Sequence, residues 1–141
     1  MELVPLADAV LVYRTLEFVD YGVGGQIYGT LEGTLTGDRL AGTLHVTNLA
    51  AKRPDDANLP TLRGVLTTSD GAAVWVEMDG IATARPADGA RVFVTSVRFR
   101  TGDPRYAWLN TVVGASEGVL DTVGVGGTCR VSVVECRATI E

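Results

Sequence analysis

Apolar and polar residues alternate along most of this chain with a period of two, which is typical of half-buried β-strands. In residues 72–83, for example, Val74, Val76 and Met78 occupy every second position and polar or amphipathic side chains separate them. Each such strand is expected to place one face in a core and the other in water. The pattern predicts about eight strands, near residues 9–19, 26–35, 40–46, 60–68, 72–83, 93–100, 109–120 and 128–140.

Short turns connect these predicted strands. Thr36-Gly37-Asp38 and Pro86-Ala87-Asp88-Gly89 are two such turn segments. Eight antiparallel strands of this length form either a sandwich or a barrel, and closure of a barrel removes the exposed sheet edges. We therefore predict an all-β fold, a single antiparallel, roughly eight-stranded barrel spanning residues 1–141. A barrel of this size is either filled by side chains or holds one small ligand.

Three features interrupt the alternation. Residues 48–59 form the longest polar stretch and are predicted to be a mobile loop over one mouth of the barrel. Residues 102–110 begin with Gly-Asp-Pro, which indicates a turn or one short helical turn. The Gly-Val-Gly-Gly segments at 22–25 and 124–127 are followed by β-type sequence. They therefore predict turns and not a phosphate-binding loop.

Composition narrows the classes of function. The 141 residues are 46% hydrophobic and 21% charged, which is typical of one globular domain. The formal net charge is −5 and no basic face is evident, so nucleic acid is not an expected partner. No apolar run approaches the roughly 18 residues of a membrane helix, and the first residues do not resemble a signal peptide. We expect a cytoplasmic protein without membrane association.

The chain lacks the residues of familiar catalytic and metal sites. Its one histidine, His45, alternates with apolar neighbours and is expected to point outward. A nucleophilic triad needs a histidine base, and zinc or iron sites need clustered ligands that the sequence does not show. We expect neither a metal nor a cofactor. Cys129 and Cys136 fall on opposite faces of one predicted strand, which predicts two free thiols.

Two charged residues lie within apolar faces of the first and last predicted strands. Arg14 has the same parity as Val12 and Leu16, and Glu135 shares a face with valines. First and last strands are neighbours in a closed barrel, so we predict that Arg14 and Glu135 approach each other inside it. A paired charge in a ligand cavity is a functional candidate. The alternatives are a structural ion pair, or an Arg14 side chain that extends to solvent.

An amphipathic cluster is predicted near the centre of the C-terminal third. Tyr106, Trp108 and Asn110 fall on alternate positions, so an extended conformation would place them on one side. Such side chains orient apolar ligands in pockets. In the alternative interpretation, Trp108 is a plug that fills the end of the core.

Several segments resemble one protein family. Residues 99–110, with the sequence FRTGDPRYAWLN, resemble a motif of the bacterial domain of unknown function 3237 family. Residues 67–72, 31–34 and 37–42 are similar to its central and N-terminal parts, in consistent order. The resemblance implies a lipocalin- or calycin-like barrel and no settled activity. Residues 47–51 depart from a Gly-x-Asp-Trp-like segment of the family, which implies a different ligand contact if that tryptophan lines the barrel mouth in relatives.

The leading hypothesis is a cofactor-independent enzyme of secondary metabolism, a cyclase or isomerase that folds an apolar, polyketide- or terpenoid-like substrate inside the barrel. Such a reaction needs mainly shape, desolvation and a few oriented polar groups. The predicted catalytic residues, which polarise the substrate or transfer a proton, are Arg14, Tyr106 and Asn110. The predicted ligand-binding residues are Trp75, Phe93, Phe99, Trp108 and Glu135.

Two alternatives stay open at the level of the sequence. One is a non-catalytic carrier or sensor that holds a hydrophobic metabolite in the same cavity. The other is a filled barrel that only dimerises and has no cavity near the roughly 300 Å³ at which ligand pockets begin. A homodimer is the expected oligomeric state.

Overall fold

The computed structural model describes residues 1–141 and confirms the predicted closed antiparallel barrel. The ten strands are β1 (Glu2–Asp20), β2 (Gly25–Thr36), β3 (Gly42–Asn48), β4 (Ala51–Lys52), β5 (Asn58–Leu59), β6 (Thr61–Thr68), β7 (Ala73–Ala84), β8 (Arg91–Arg100), β9 (Val113–Leu120) and β10 (Thr128–Arg137). Eight of them close the barrel in the order β1-β2-β3-β6-β7-β8-β9-β10, and β10 pairs again with β1. The one helix is a 3₁₀ helix at Pro104–Thr111. No helix is long and apolar enough to cross a membrane.

Residues 48–59, predicted as a mobile loop, instead extend the barrel wall. β3 and β6 have 7 and 8 residues, whereas their outer neighbours β2 and β7 have 12 each. The long strands therefore project beyond the short ones at one end. β4 and β5 fill the gap, because β4 pairs with β2 and β5 pairs with β7. A strand of two residues carries no detectable period, which is why the sequence pattern missed both.

The two ends of the barrel differ in packing. One end of the barrel carries the loops 37–41 and 69–72 and the segment 101–112. Side chains fill the interior there, so we call it the closed end and the half of the barrel next to it the closed half. The residues with the most completely buried large side chains belong to this half: Leu40, Leu66, Val74, Val97 and Leu109. The void that remains among the closed-half side chains is only about 20 Å³. The other end, which we call the open end, carries the connections 21–24, 49–60, 85–90 and 121–127, and the half of the barrel next to it is the open half.

A β-bulge in β1 changes which residues face the interior. The pairing register with β2 steps from Tyr13 to Thr15, and Arg14 between them has no partner. Tyr13 and Leu16 therefore both line the barrel interior. Arg14 points outward with 58% of its side chain exposed, and its Nε donates to Glu32 Oε1 at 2.7 Å. The predicted inward Arg14 is wrong, because one alternation phase was carried through a strand that changes phase at a bulge.

Glu135 lies far from Arg14, at the closed end. The antiparallel register places Glu135 opposite Val4, near the other end of β1. Its carboxylate accepts hydrogen bonds from Arg137 Nε at 2.7 Å and from Arg39 Nη1 at 3.1 Å. The bond from Arg137, helped by the bond from Arg39, holds the pKa of Glu135 below its ordinary value. The predicted Arg14–Glu135 pair is therefore wrong, although β1 and β10 are neighbours as predicted.

Several smaller predictions are confirmed. His45 points outward with 60% of its side chain exposed. Cys129 is buried and Cys136 half-buried on opposite faces of β10, and both are free thiols. The two Gly-Val-Gly-Gly segments form turns between β1 and β2 and between β9 and β10, and each contains two glycines with positive φ.

Candidate functional site

A cavity of about 330 Å³ occupies the open half of the barrel. Of the 22 residues that line it, 15 are hydrophobic, among them Leu11, Leu62, Met78 and Phe93. Ligand pockets typically measure about 300–1,000 Å³, so this one suits a compact molecule. The filled-barrel alternative describes the closed half of the molecule and not the open half.

Small residues keep the centre of the open half empty. A Cβ at Gly118 would collide with the Phe93 ring, and a Cβ at Gly29 would lie 2.9 Å from the Tyr13 ring. Both aromatic rings therefore rest against bare backbone at these points. Ala82 contributes a single methyl to the same wall. The sequence thus creates the cavity by placing aromatic side chains against glycines.

The main polar feature of the cavity is a Tyr13–Asn48 pair. Asn48 Oδ1 accepts a hydrogen bond from the backbone N–H of Thr61 at 3.2 Å, which orients the amide. Asn48 Nδ2 consequently donates to Tyr13 Oη at 2.9 Å. Tyr13 Oη makes no other hydrogen bond, so its own O–H remains a free donor beside an apolar cavity.

Burial fixes the protonation state of this phenol. It raises the pKa of Tyr13 above the ordinary value of 10.0, and the hydrogen bond from Asn48 offsets part of that effect. Tyr13 is therefore a neutral hydrogen-bond donor at pH 7. Burial also raises the pKa of the neighbouring Cys129 thiol to about 12. A thiol held neutral in this way is a poor nucleophile.

Two further features of the interior involve uncharged polar side chains. Thr95 Oγ1 and Ser116 Oγ lie 2.5 Å apart and bond to each other across β8 and β9. Asn58 Oδ1 is buried and has no hydrogen-bond partner. A buried acceptor without a donor costs free energy, so this oxygen is a locally unfavourable feature of the cavity wall.

The structure separates most of the sequence-predicted site residues from this cavity. Phe93 lines it, and its contact with a ligand stays a prediction. Trp75 lies on the outer surface, 39% exposed, where its Nε1 donates to Glu77 Oε1 at 3.0 Å. Phe99 is buried among the side chains of the closed half. Trp75 and Phe99 are therefore not walls of the open cavity.

Tyr106, Trp108 and Asn110 lie on the 3₁₀ helix and not on an extended strand. Asp103 begins this helix, since its Oδ1 accepts from the backbone N–H of Arg105 at 2.9 Å. The short helical turn predicted within residues 102–110 is confirmed. The extended arrangement with one common side is wrong, because the capping aspartate and Pro104 start a helix. The three side chains stay at the closed end.

The polar groups of this helix are engaged within the fold. Asn110 accepts from the Thr101 backbone N–H at 2.8 Å and donates to its carbonyl at 2.9 Å. Tyr106 Oη donates to Asp70 Oδ1 at 2.8 Å. The Arg39 guanidinium lies 5.0 Å from the centre of the Trp108 ring. Since Trp108 also packs on the core, the geometry corresponds to the alternative in which this residue closes the barrel end.

Tyr13 and Asn48 were missed as site residues. Asn48 follows Leu44 and Val46 at the next alternate position of β3, so the alternation alone predicts that it faces inward. The alternation does not predict that Tyr13 faces inward, because the bulge at Arg14 reverses the phase of the strand.

A wider groove of about 830 Å³ crosses the outer face of the sheet, lined by apolar residues such as Val92 and Val94 and by charged ones such as Glu117 and Arg130. It is an open surface, so a ligand there would keep much of its area in water. The barrel cavity is the better candidate site because it can bury most of a small ligand.

Comparison with known proteins places this geometry in a family. The model of DUF3237, described as a protein of unknown function, matches residues 16–135. The chain belongs to the DUF3237 family. No curated protein matches this DUF3237 chain.

Solved structures show the same fold as this DUF3237 barrel. A conserved protein of unknown function from Rhodopseudomonas palustris is similar with a TM-score of 0.80 at 19% identity, covering 95% of this chain and 96% of that one. A beta-barrel like protein from Acinetobacter baumannii AYE gives 0.76 at 18% identity, with 94% and 95% covered. An enzyme from Penicillium herquei gives 0.71 at 23% identity, with 95% and 94% covered.

Proposed function

We propose that this chain is a cofactor-independent enzyme of secondary metabolism that binds an apolar, oxygen-bearing small molecule in the open-half cavity and promotes its cyclisation or isomerisation. The observation that carries the proposal is the free O–H of Tyr13, buried beside an apolar cavity and held by Asn48. The similarity in fold to a protein described as an enzyme supports it.

The proposed chemistry rests on polarisation of one substrate oxygen. A carbonyl or enone oxygen accepts the Tyr13 O–H, and the Asn48 amide stabilises negative charge that shifts toward Tyr13 Oη. Such a hydrogen bond acts more strongly in an apolar, water-poor cavity than in water. The conjugated carbons become electrophilic, and a hydroxyl of the same molecule, folded against them by the cavity walls, closes a ring. Its proton ends on the product, so no co-reactant is consumed.

The proposal is tested on the molecule that the protein retains. Ligand released from the purified protein by denaturation is identified by mass spectrometry and incubated with fresh protein. We expect a product of equal mass and altered chromatographic retention, and we expect Tyr13→Phe to form it much more slowly. A ligand that returns unchanged from wild-type protein contradicts the enzymatic proposal.

A carrier for a hydrophobic metabolite is the second candidate, and one observation favours it. None of the 22 residues that line the cavity is an aspartate, glutamate or histidine, so the walls lack the carboxylates and the imidazole that most often act as general bases. A carrier predicts the same retained ligand, returned chemically unchanged by fresh protein.

The homodimeric state and the cytoplasmic location stay predictions. Light scattering coupled to size-exclusion chromatography tests the first, and fractionation of the source cells tests the second.

A further inference from the structure

Two cations lie at the mouth of the cavity and share one carboxylate. Lys52 on β4 and Arg91 on β8 both line the cavity. Lys52 Nζ lies 3.1 Å from Asp56 Oδ1, and Arg91 Nη2 lies 2.8 Å from Asp56 Oδ2. Arg91 Nη1 also donates to the Asp56 carbonyl oxygen at 2.7 Å. One aspartate on the connection between β4 and β5 thus holds both positive groups.

The cavity side of this arrangement has an excess of positive charge. Lys52 and Arg91 are the only charged residues among those that line the cavity. The adjacent acid, Asp55, is bound by Arg53 on the same connection. The Arg91 side chain is 17% exposed, whereas that of Asp56 is 59% exposed. An arginine that is largely shielded from water is a strong partner for a second anion.

Asp56 is well placed to yield its position to a ligand. Its φ of 70° is a conformation that aspartate and asparagine tolerate better than most residues. Its side chain is 59% exposed, so the carboxylate can turn into solvent when a ligand anion takes its place. The apolar part of the cavity begins next to these cations, because Lys52 Nζ lies 6.0 Å from the centre of the Phe18 ring, which lines the cavity. A ligand carboxylate at the mouth can therefore reach both cations while its hydrocarbon part lies in the cavity.

We propose that the ligand is an apolar carboxylic acid, whose carboxylate binds between Lys52 and Arg91 in place of Asp56 and whose apolar body extends toward Tyr13. This inference rests on the proposed binding of an apolar molecule in the open-half cavity. It adds the chemical class of the ligand and the orientation in which it enters.

Octanoate and octanol test the inference, because they share an apolar chain and differ in the charged group. We measure their affinities for the full chain by isothermal titration calorimetry at pH 7. Octanoate is expected to bind at least tenfold more tightly than octanol. Arg91→Met is expected to remove the advantage of octanoate over octanol, whereas Arg91→Lys retains part of it. Arg53→Met, which removes a neighbouring arginine that does not line the cavity, is the matched control.

Asp56→Asn provides a test in the opposite direction. Asparagine tolerates positive φ as well as aspartate does, so the backbone is preserved while the competing charge is removed. We expect octanoate to bind several-fold more tightly to this variant and octanol to bind as before.

The outcomes separate the two proposals. Suppose that octanol binds as tightly as octanoate and that Arg91→Met changes neither affinity. Then Lys52 and Arg91 only stabilise the connection between β4 and β5, and the cavity binds apolar molecules without a preference for acids. If neither compound binds, the cavity proposal and this inference both fail.

Discussion

The closed half is filled and the open half is not. A Leu→Ala substitution is therefore expected to lower the free energy of unfolding by different amounts in the two halves. Leu62 and Leu66 lie on the same inward face of β6, and are 8% and 0% exposed. Leu66 packs in the closed half, where the remaining void is about 20 Å³. Leu62 lines the cavity of about 330 Å³. The pair is therefore a matched comparison of the two environments.

The magnitudes follow from the two contributions to a Leu→Ala cost. Loss of three buried carbons contributes about 2.4 kcal/mol at roughly 0.8 kcal/mol each. A new void in a packed core raises the total toward about 4–5 kcal/mol. We expect about 4 kcal/mol for Leu66→Ala, and about 2–2.5 kcal/mol for Leu62→Ala because that side chain already borders empty space. The difference of about 1.5 kcal/mol corresponds to roughly 5 °C in Tm.

Urea denaturation measures both free energies of unfolding, with an unchanged m-value as the control for two-state behaviour. Circular dichroism and tryptophan fluorescence should give coincident transitions. Equal costs at the two sites, or a larger cost for Leu62→Ala, would refute the assignment of the cavity to the open half.

Other predictions concern single side chains. Tyr13→Phe should lower stability by about 1–2 kcal/mol, because the buried Asn48 amide loses its acceptor, as thermal melting will measure. Arg14→Met should leave ligand affinity unchanged in calorimetry, since Arg14 lies outside the barrel. Because Arg137 and Arg39 lower the folded-state pKa of Glu135, its stabilisation is present above its ordinary pKa of 4.5 and is lost as pH falls through the folded value. Glu135→Gln should therefore weaken the dependence of the free energy of unfolding on pH below 4.5. An unchanged dependence would count against the pairing of Glu135 with Arg137 and Arg39. Burial raises the pKa of Cys129 from 9.0 to about 12, so its stabilisation is present below pH 9 and is lost as pH rises toward 12. Cys129→Ala should reduce the alkaline slope in urea titrations.

The barrel was predictable because most strands bury one face and so show a period of two. The pattern placed β7 and β8 almost to the residue, and it gave the inward positions of Val74, Val76 and Met78. It failed at the start of β1, which begins at Glu2, because a second register shift between Pro5 and Ala7 breaks the alternation there.

The site was less predictable, because it depends on where the interior is empty. Periodicity shows that Phe93 and Phe99 both face inward, yet only Phe93 lines the open cavity. The difference arises from long-range packing, in which Leu109 of the 3₁₀ helix fills the closed end. The segment that most resembles the family motif contributes this helix, so its residues indicated the fold rather than the ligand site.

The proposed function and the further inference both require an apolar molecule to bind inside the open half of the barrel. Methyl NMR of the leucines during titration with octanol measures this binding residue by residue. We predict that the methyl resonances of Leu11, Leu62 and Leu120, which line the cavity, shift with ligand concentration, while those of Leu40, Leu44 and Leu66 in the closed half do not. Shifts confined to the closed half, or no shift of the cavity methyls at saturating octanol, would show that the open half does not bind apolar molecules.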